Sequence, residues 1–437
     1  MLGKVGAVGG AVAVALCWPF ATGQIGERIY LDTFGQYENP YLAVSNDTYQ
    51  RGYLTSEAVS KIELKDELKF LFEDEGLPTV WFVKHHVSHG FMGVSSTSEL
   101  VVDDALKPMT AALWGEGVSP VTFTTNTALT RKTDFTFQIN PISEKEVNGT
   151  SVAVASFVMQ GTVNAKGAGE FHYQLPSANL TTAAREEMVL KGLKGGGKGY
   201  LDGQFWIGDQ ALTLDEVRFV DLNSEQSLDV AELAVGMENV LIQPEVAEGQ
   251  EKPELQLSNS NHIKVGKVVM LDGSEYRNFN FQMAFSELDY PSLSRLGDMT
   301  DDLDEPLTEQ QAMEVSAALD ALVAKGLAFS INDLSVLAPE GQVTSRLNMT
   351  VAPGISNISQ NIGQIAEKLG GDLHLSLPVE LVEADPLLSE RIDMLEQSAI
   401  VERNATHYLL DMQIEGDKVI LSNGDQLPFA MLFMLFM

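Results

Sequence analysis

Cysteine is almost absent from this chain of 437 residues: the only one, Cys17, lies in an apolar stretch near the start. The rest of the chain can therefore form neither an internal disulfide nor a cysteine-ligated metal site. Basic residues are also scarce, 28 Lys and Arg against 61 Asp and Glu, which leaves a formal net charge of −33. A field of that sign repels phosphate backbones and anionic lipid headgroups, so nucleic acid is not expected as a partner. A solvated acidic surface of the salt-adapted kind accounts for the surplus, with a dedicated cationic partner as the alternative. No Gly-x-Ser-x-Gly elbow and no HExxH pair occurs, which removes the common signatures of a serine hydrolase and of a zinc peptidase. No catalytic residue, metal site or cofactor is expected.

What is present begins with Val5 to Gly23, nineteen positions without a charge. A helix of that length, at ~1.5 Å per residue, nearly spans a ~30 Å hydrocarbon core. Lys4 precedes it and an acidic chain follows, a bias that puts the body outside the cytoplasm. The expectation is one uncleaved, single-pass N-terminal transmembrane helix with the body outside the cytoplasm. A cleaved signal peptide is the alternative, and Leu16 is too bulky for lipoprotein processing at Cys17. Gly6 and Gly10 form a GxxxG pair that would let two anchors approach as a homodimer.

Beyond the anchor, polar and apolar residues alternate with period two over 121–140, 151–163 and 278–285, the pattern of half-buried antiparallel strands. Asn148-Gly149, Asp202-Gly203, Asp272-Gly273 and Asn423-Gly424 read as turns between them. Helical spacing appears late. Leu307–Lys325 has Thr308 as a cap, Gln311 three residues on and Gly326 as a stop, and two more helices are expected over 359–369 and 387–401. The fold class is α+β, predominantly antiparallel β, with a few helices in the C-terminal third. The expected organisation is an anchor at 1–23, a β-rich periplasmic region at 24–300, and an α+β region at 301–437 packed on the same unit.

Short motifs along the chain carry a resemblance. They are Tyr49-Gln-Arg51-Gly52-Tyr53-Leu54-Thr55-Ser56 and His89-Gly90. Leu373-His-Leu-Ser-Leu-Pro378 and Gly416-Asp-Lys-Val-Ile-Leu-Ser-Asn423-Gly424 come later in the chain. Together they resemble the YdgA-like family of Gram-negative envelope proteins, a group of unknown molecular function. Phe91 departs from the proline that this family tends to carry after His89-Gly90. The resemblance implies an inner-membrane anchor and a periplasmic body, and it transfers no catalytic residue. Arg51, Gly52, His89, Gly90, Asn423 and Gly424 stand as structural motif candidates.

Several local patterns invite sharper readings. Gly192-Leu-Lys-Gly-Gly-Gly-Lys-Gly199 nearly spells a phosphate-binding loop, but Gly199 replaces the hydroxyl that would hold Mg²⁺. A flexible turn between strands is the expected role. His85, His86 and His89 would share a metal only on a helix. Their flanks favour a strand, where residues four apart stand ~13 Å from each other, so structural histidine is expected, with His89 bonded to backbone. A buried Arg51 would need a carboxylate or carbonyl partner, and a ligand contact is the alternative. The last residues, 428–437, are apolar but too short to span a bilayer, and are expected to pack on the body or touch a membrane surface or partner.

These observations converge on a non-enzymatic structural or interaction module. The alternative is a protein whose long antiparallel sheet forms a groove for lipid or another hydrophobic ligand, and an enzyme with an unrecognised site is the third reading. An open apolar sheet face separates the second from the first, because a scaffold buries that face in its own core.

Overall fold

A computed structural model describes residues 41–51, 54–74, 76–90, 93–244, 254–300, 308–355, 363–429 and 431. The chain divides into two compact units, one running to Tyr200 and including Leu214–Glu225, the other comprising Leu201–Thr213 and everything from Gln226 onward.

The first unit is an antiparallel meander. Its strands are β1 (Leu42–Arg51), β2 (Thr55–Leu64), β3 (Val80–Gly90), β4 (Gly93–Leu100), β5 (Val121–Ala128), β6 (Thr133–Ile139), β7 (Ile142–Val147), β8 (Thr150–Val154), β9 (Phe157–Val163), β10 (Gly169–Thr181) and β11 (Glu186–Asp202). Strands β6 and β7 together form one arm of a long bent hairpin, and β8 and β9 the other. β10 then pairs along both β8 and β9 before meeting β11. Period-two sequence sets the faces. In β2 every even residue from Ser56 to Leu64 is buried, and in β3 the odd ones from Trp81 to Val87.

Two short helices, α1 (Asp66–Asp74) and α2 (Lys107–Leu113), follow β2 and β4. With Leu42, Ile62, Trp81, Val83, Phe123 and Phe137 they enclose the first core, to which Leu68, Leu71, Phe72, Leu106 and Met109 contribute. Burial of each such side chain contributes about 1.5–3 kcal/mol. Phe72 meets Trp81 edge-on at 5.4 Å, and Trp81 donates its indole N–H to the Pro78 carbonyl at 3.0 Å.

Farther along the same face, cross-strand register alternates ring and glycine: Phe135, Gly161, Phe171 and Gly197. A Cβ on Gly161 would stand 2.7 Å from the Phe135 ring and 2.4 Å from the Glu170 carbonyl, so the ring and the neighbouring strand both require glycine there. The glycine run of 192–199 is not the turn expected from the sequence but lies inside strand β11, where Gly195 and Gly197 stand opposite Tyr173 and Phe171 of β10 and a Cβ on Gly196 would stand 2.4 Å from the Phe171 carbonyl.

In the second unit, β13 (Gln226–Ile242), β14 (Gln256–Val269), β15 (Glu275–Asp289), β16 (Leu327–Ala338), β17 (Gly341–Val351) and β18 (Leu369–Pro378) pair in sequence order, all antiparallel. β18 then pairs with β20 (His407–Glu415), which carries β21 (Lys418–Leu421) and β22 (Gln426–Pro428) beyond it. β12 (Phe205–Asp221), whose residues up to Thr213 belong to this unit and the rest to the first, and the two-residue β19 (Glu402–Arg403) complete the described strands. Helices α3 (Tyr290–Thr300), α4 (Glu309–Ala324), α5 (Gly363–Lys368), α6 (Val379–Ala384) and α7 (Pro386–Gln397) belong to this unit.

The expected helix over 307–325 is present as α4, with the Thr308–Gln311 capping box formed in both directions. The short α5 falls within the expected 359–369, and α7 starts one residue before the expected 387–401 and ends inside it. The four expected turns also form, with left-handed backbone at Gly149, Gly203, Gly273 and Gly424.

The expectation of a transmembrane helix needs correcting. No helix among the described residues is long and apolar enough to cross a membrane. The single-pass anchor, and the inner-membrane localisation that rested on it, are therefore unsupported; residues 5–23, with Gly6, Gly10 and Cys17, lie outside the described residues. Helices are also not confined to the C-terminal third, since α1 and α2 stand in the first unit.

Candidate functional site

The β13–β17 sheet of the second unit has two faces of opposite chemistry. The outer face exposes Ser260, His262, Lys264 and Arg346. It is tied across strands by Asn280 to Asp333 and by Asn348 to Asp372 at 3.1 Å. The inner face follows from the register. One row runs Val235, Ile263, Phe281, Leu334, Ser345, and the next Met237, Asn261, Met283, Ile331, Leu347. Leu233, Val265 and Phe279 precede them, and Asn239, Asn259, Phe285, Phe329 and Met349 follow. None of these residues is charged. Charge begins one row beyond Leu233, where Lys267 stands opposite Arg277 and Arg277 donates to Glu275.

Two margins of this face are closed. At the Phe285 end, α3 and α4 bring Tyr290, Leu293, Leu296 and Leu322 onto Leu257, Leu288 and Leu327. At the β18 end, α6 and α7 bring Val382, Ile392 and Leu395 onto Leu410, Met412 and Ile414. Between these lids, the first two rows and the Leu233 row are only partly buried. At ~4.8 Å per strand, β13 to β17 spans roughly 19 Å, and Leu233 to Met237 about 14 Å along the strand. Apolar surface of that extent left partly open makes this face the candidate site.

A polar line crosses one side of it. Asn261 Nδ2 donates to Asn259 Oδ1, Asn259 Nδ2 donates to Asn239 Oδ1 at 2.7 Å, and Asn239 Nδ2 donates to the Trp206 carbonyl at 2.8 Å. Asn239 is 7% exposed, so this amide depends on those partners in an apolar setting.

The first unit holds a second polar arrangement. His85 is 1% exposed and lies between two hydroxyls, Ser60 Oγ at 2.8 Å from Nε2 and Ser98 Oγ at 2.7 Å from Nδ1. Register explains the meeting, since Ser98 is directly opposite His85 and Ser60 is one pair further along on the same face. Burial pushes the imidazole down from 6.5 to about 3, so it is neutral: one nitrogen donates to a hydroxyl and the other accepts from one. A serine beside a histidine suggests an activated nucleophile, but Ser60 is 2% exposed and no substrate reaches it. The trio pins three strands together.

Of the motif residues drawn from the sequence, Arg51 ends β1 opposite Ser56 and His89 stands opposite Val94 in β3. Gly90 meets Gly93 where β3 turns toward β4. Gly52 and the side chains of Arg51 and His89 lie outside the described residues. The histidines do lie on a strand, and the buried member whose contacts are described is His85, bonded to hydroxyls.

Asn423 and Gly424 form the β21–β22 turn. The Gly424 N–H donates to the Leu421 carbonyl at 2.9 Å, and Asn423 Oδ1 accepts from the Asp425 N–H at 2.8 Å. Asn423 and Gly424 lie in this turn and not in the rows of the open face. Near the end of the chain, Phe429 packs into the core beneath α6 and α7. Sequence reasoning overlooked Ser60, Ser98 and the three asparagines; the visible signal was a polar residue at inward positions of otherwise alternating strands.

A scan against family models matches residues 2–430 to a bacterial protein family of unknown function, DUF945. No curated protein and no solved structure matches the chain. The chain belongs to the DUF945 family.

Proposed function

We propose that this DUF945 protein binds elongated apolar molecules, with lipid acyl chains as the ligand class, on the inner face of β13–β17. Within the family, the motifs between Tyr49 and Gly424 make it YdgA-like in our reading. The observation that carries the proposal is a set of uncharged inner rows only partly buried in their middle while helices close two margins. One leaflet of a ~30 Å hydrocarbon core is ~15 Å deep, so an acyl chain fits within the roughly 19 Å span across the strands. We set this above the structural-module reading because a scaffold would bury that face in its own core. The reading assigns no chemical step, since both serines bonded to His85 are sealed, and it takes ligand handling here as non-enzymatic.

The test is native mass spectrometry of the full chain, purified without detergent from a bacterial host and then extracted with organic solvent. Co-purifying lipid at about one copy per chain, removed by extraction, is expected. A ligand-free mass, together with no uptake of an added fluorescent fatty-acyl probe, would sink the proposal.

A further inference from the structure

The asparagine line deepens the acyl-chain reading and depends on it. A backbone carbonyl can only accept hydrogen bonds, so the Trp206 oxygen fixes which way the whole line runs. Asn239 must present its amide nitrogen to Trp206, which leaves its oxygen for Asn259. Asn259 in turn must present its oxygen to Asn261. At the far end, Asn261 has spent one N–H inward, and its Oδ1 accepts from no described group. That oxygen and the second amide N–H belong to a partly buried residue whose register neighbours are Met237 and Met283, in the open part of the apolar face.

An amide oxygen at the edge of an apolar surface is satisfied by a ligand group that donates. The rows around Asn261 offer no cation to neutralise a carboxylate or phosphate. Lys267 lies six residues along the strand, roughly 20 Å away, and the formal charge of −33 opposes an anion further. We infer that the ligand of this face is an acyl chain ending in an uncharged hydroxylated head, such as a monoacylglycerol, with its hydroxyl on Asn261. The hydroxyl donates to Oδ1 and can accept from the second N–H, a match that neither a carboxylate nor an ester provides.

Three probes of one chain length separate the possibilities: 1-monopalmitoylglycerol, methyl palmitate and palmitate, each titrated into delipidated full-length protein. The expected order is monoglyceride first, with the ester about 5-fold weaker, the typical worth of one net hydrogen bond, and palmitate weaker still. Asn261→Leu is expected to abolish the monoglyceride preference, so that monoglyceride and ester bind equally; a preference that survives the substitution overturns the role of Asn261. Equal affinity for all three probes, or palmitate first, overturns the head-group inference but leaves the apolar-ligand reading intact. No binding of any probe overturns both. The wild-type comparison stands alone if Asn261→Leu fails to fold.

Discussion

Acidification provides a sharp test of the buried His85. In the folded chain its imidazole is held near 3 by burial, against 6.5 when unfolded. Between those values the unfolded chain carries a proton there that the folded chain does not. Stability from this group is therefore full above about pH 6.5 and is lost as pH falls, the loss being complete near pH 3. The slope is about 1.4 kcal/mol per pH unit, so lowering pH from 6.5 to 5 costs about 2 kcal/mol through His85 alone. Most carboxylates titrate below that window, which keeps the signal separable.

The measurement is urea unfolding followed by tryptophan fluorescence at several pH values, for the wild type and His85→Gln. Trp81 and Trp114 lie in the same unit as His85. Glutamine keeps a donor and an acceptor for Ser60 and Ser98 but cannot titrate. The variant should be less stable at neutral pH, and its stability should change less with pH between 6.5 and 5, by about 2 kcal/mol over the interval. Parallel pH profiles for the two proteins would refute the idea that a neutral, desolvated His85 pins β2, β3 and β4.

Other substitutions probe different parts of the molecule. Phe281→Glu places a carboxylate in the middle of the open face; it should abolish acyl-probe binding while shifting the unfolding midpoint little, because the site is only partly buried, as fluorescence titration and thermal melting can check. Gly161→Ala drives a methyl into the Glu170 carbonyl and the Phe135 ring, and should destabilise the first unit by about 1–3 kcal/mol in denaturant melts. Thr308→Ala removes the α4 capping box and should cost ~1 kcal/mol, visible as faster hydrogen exchange in the first turn of α4.

Much of this architecture is legible in the residues. Alternation in 121–140, 151–163 and 278–285 corresponds to β5, β6, β8, β9 and β15, and Thr308 with Gln311 marks the start of α4. Where sequence and structure part, the deciding contacts lie between strands. Glycines at 192–199 look like a turn until Phe171 and Tyr173 are seen across the ladder. α1 has helical spacing in Leu68, Leu71 and Phe72, but it is one short element between two strands, too brief for its periodicity to stand out.

The candidate site is half legible. Period two says that a strand has two faces, yet nothing local says which face is covered. That depends on where α3, α4, α6 and α7 dock, which is a long-range property of the chain. The asparagine line shows the same limit: Asn259 and Asn261 are polar residues in a strand, and only Asn239 and Trp206, brought in by register and packing, turn them into a line with a direction.

The central claim, that β13–β17 presents an acyl-chain binding face, is tested most directly by photo-crosslinking. A palmitoyl probe with a diazirine near the end of its chain, irradiated on the full-length protein and mapped by peptide mass spectrometry, reports where the chain lies. The account predicts labels on inner-face residues of β14, β15 and β16, such as Ile263, Phe281 and Leu334, with labelling suppressed by excess monopalmitoylglycerol. Labels confined to other surfaces, or labelling that excess lipid does not compete away, would contradict it.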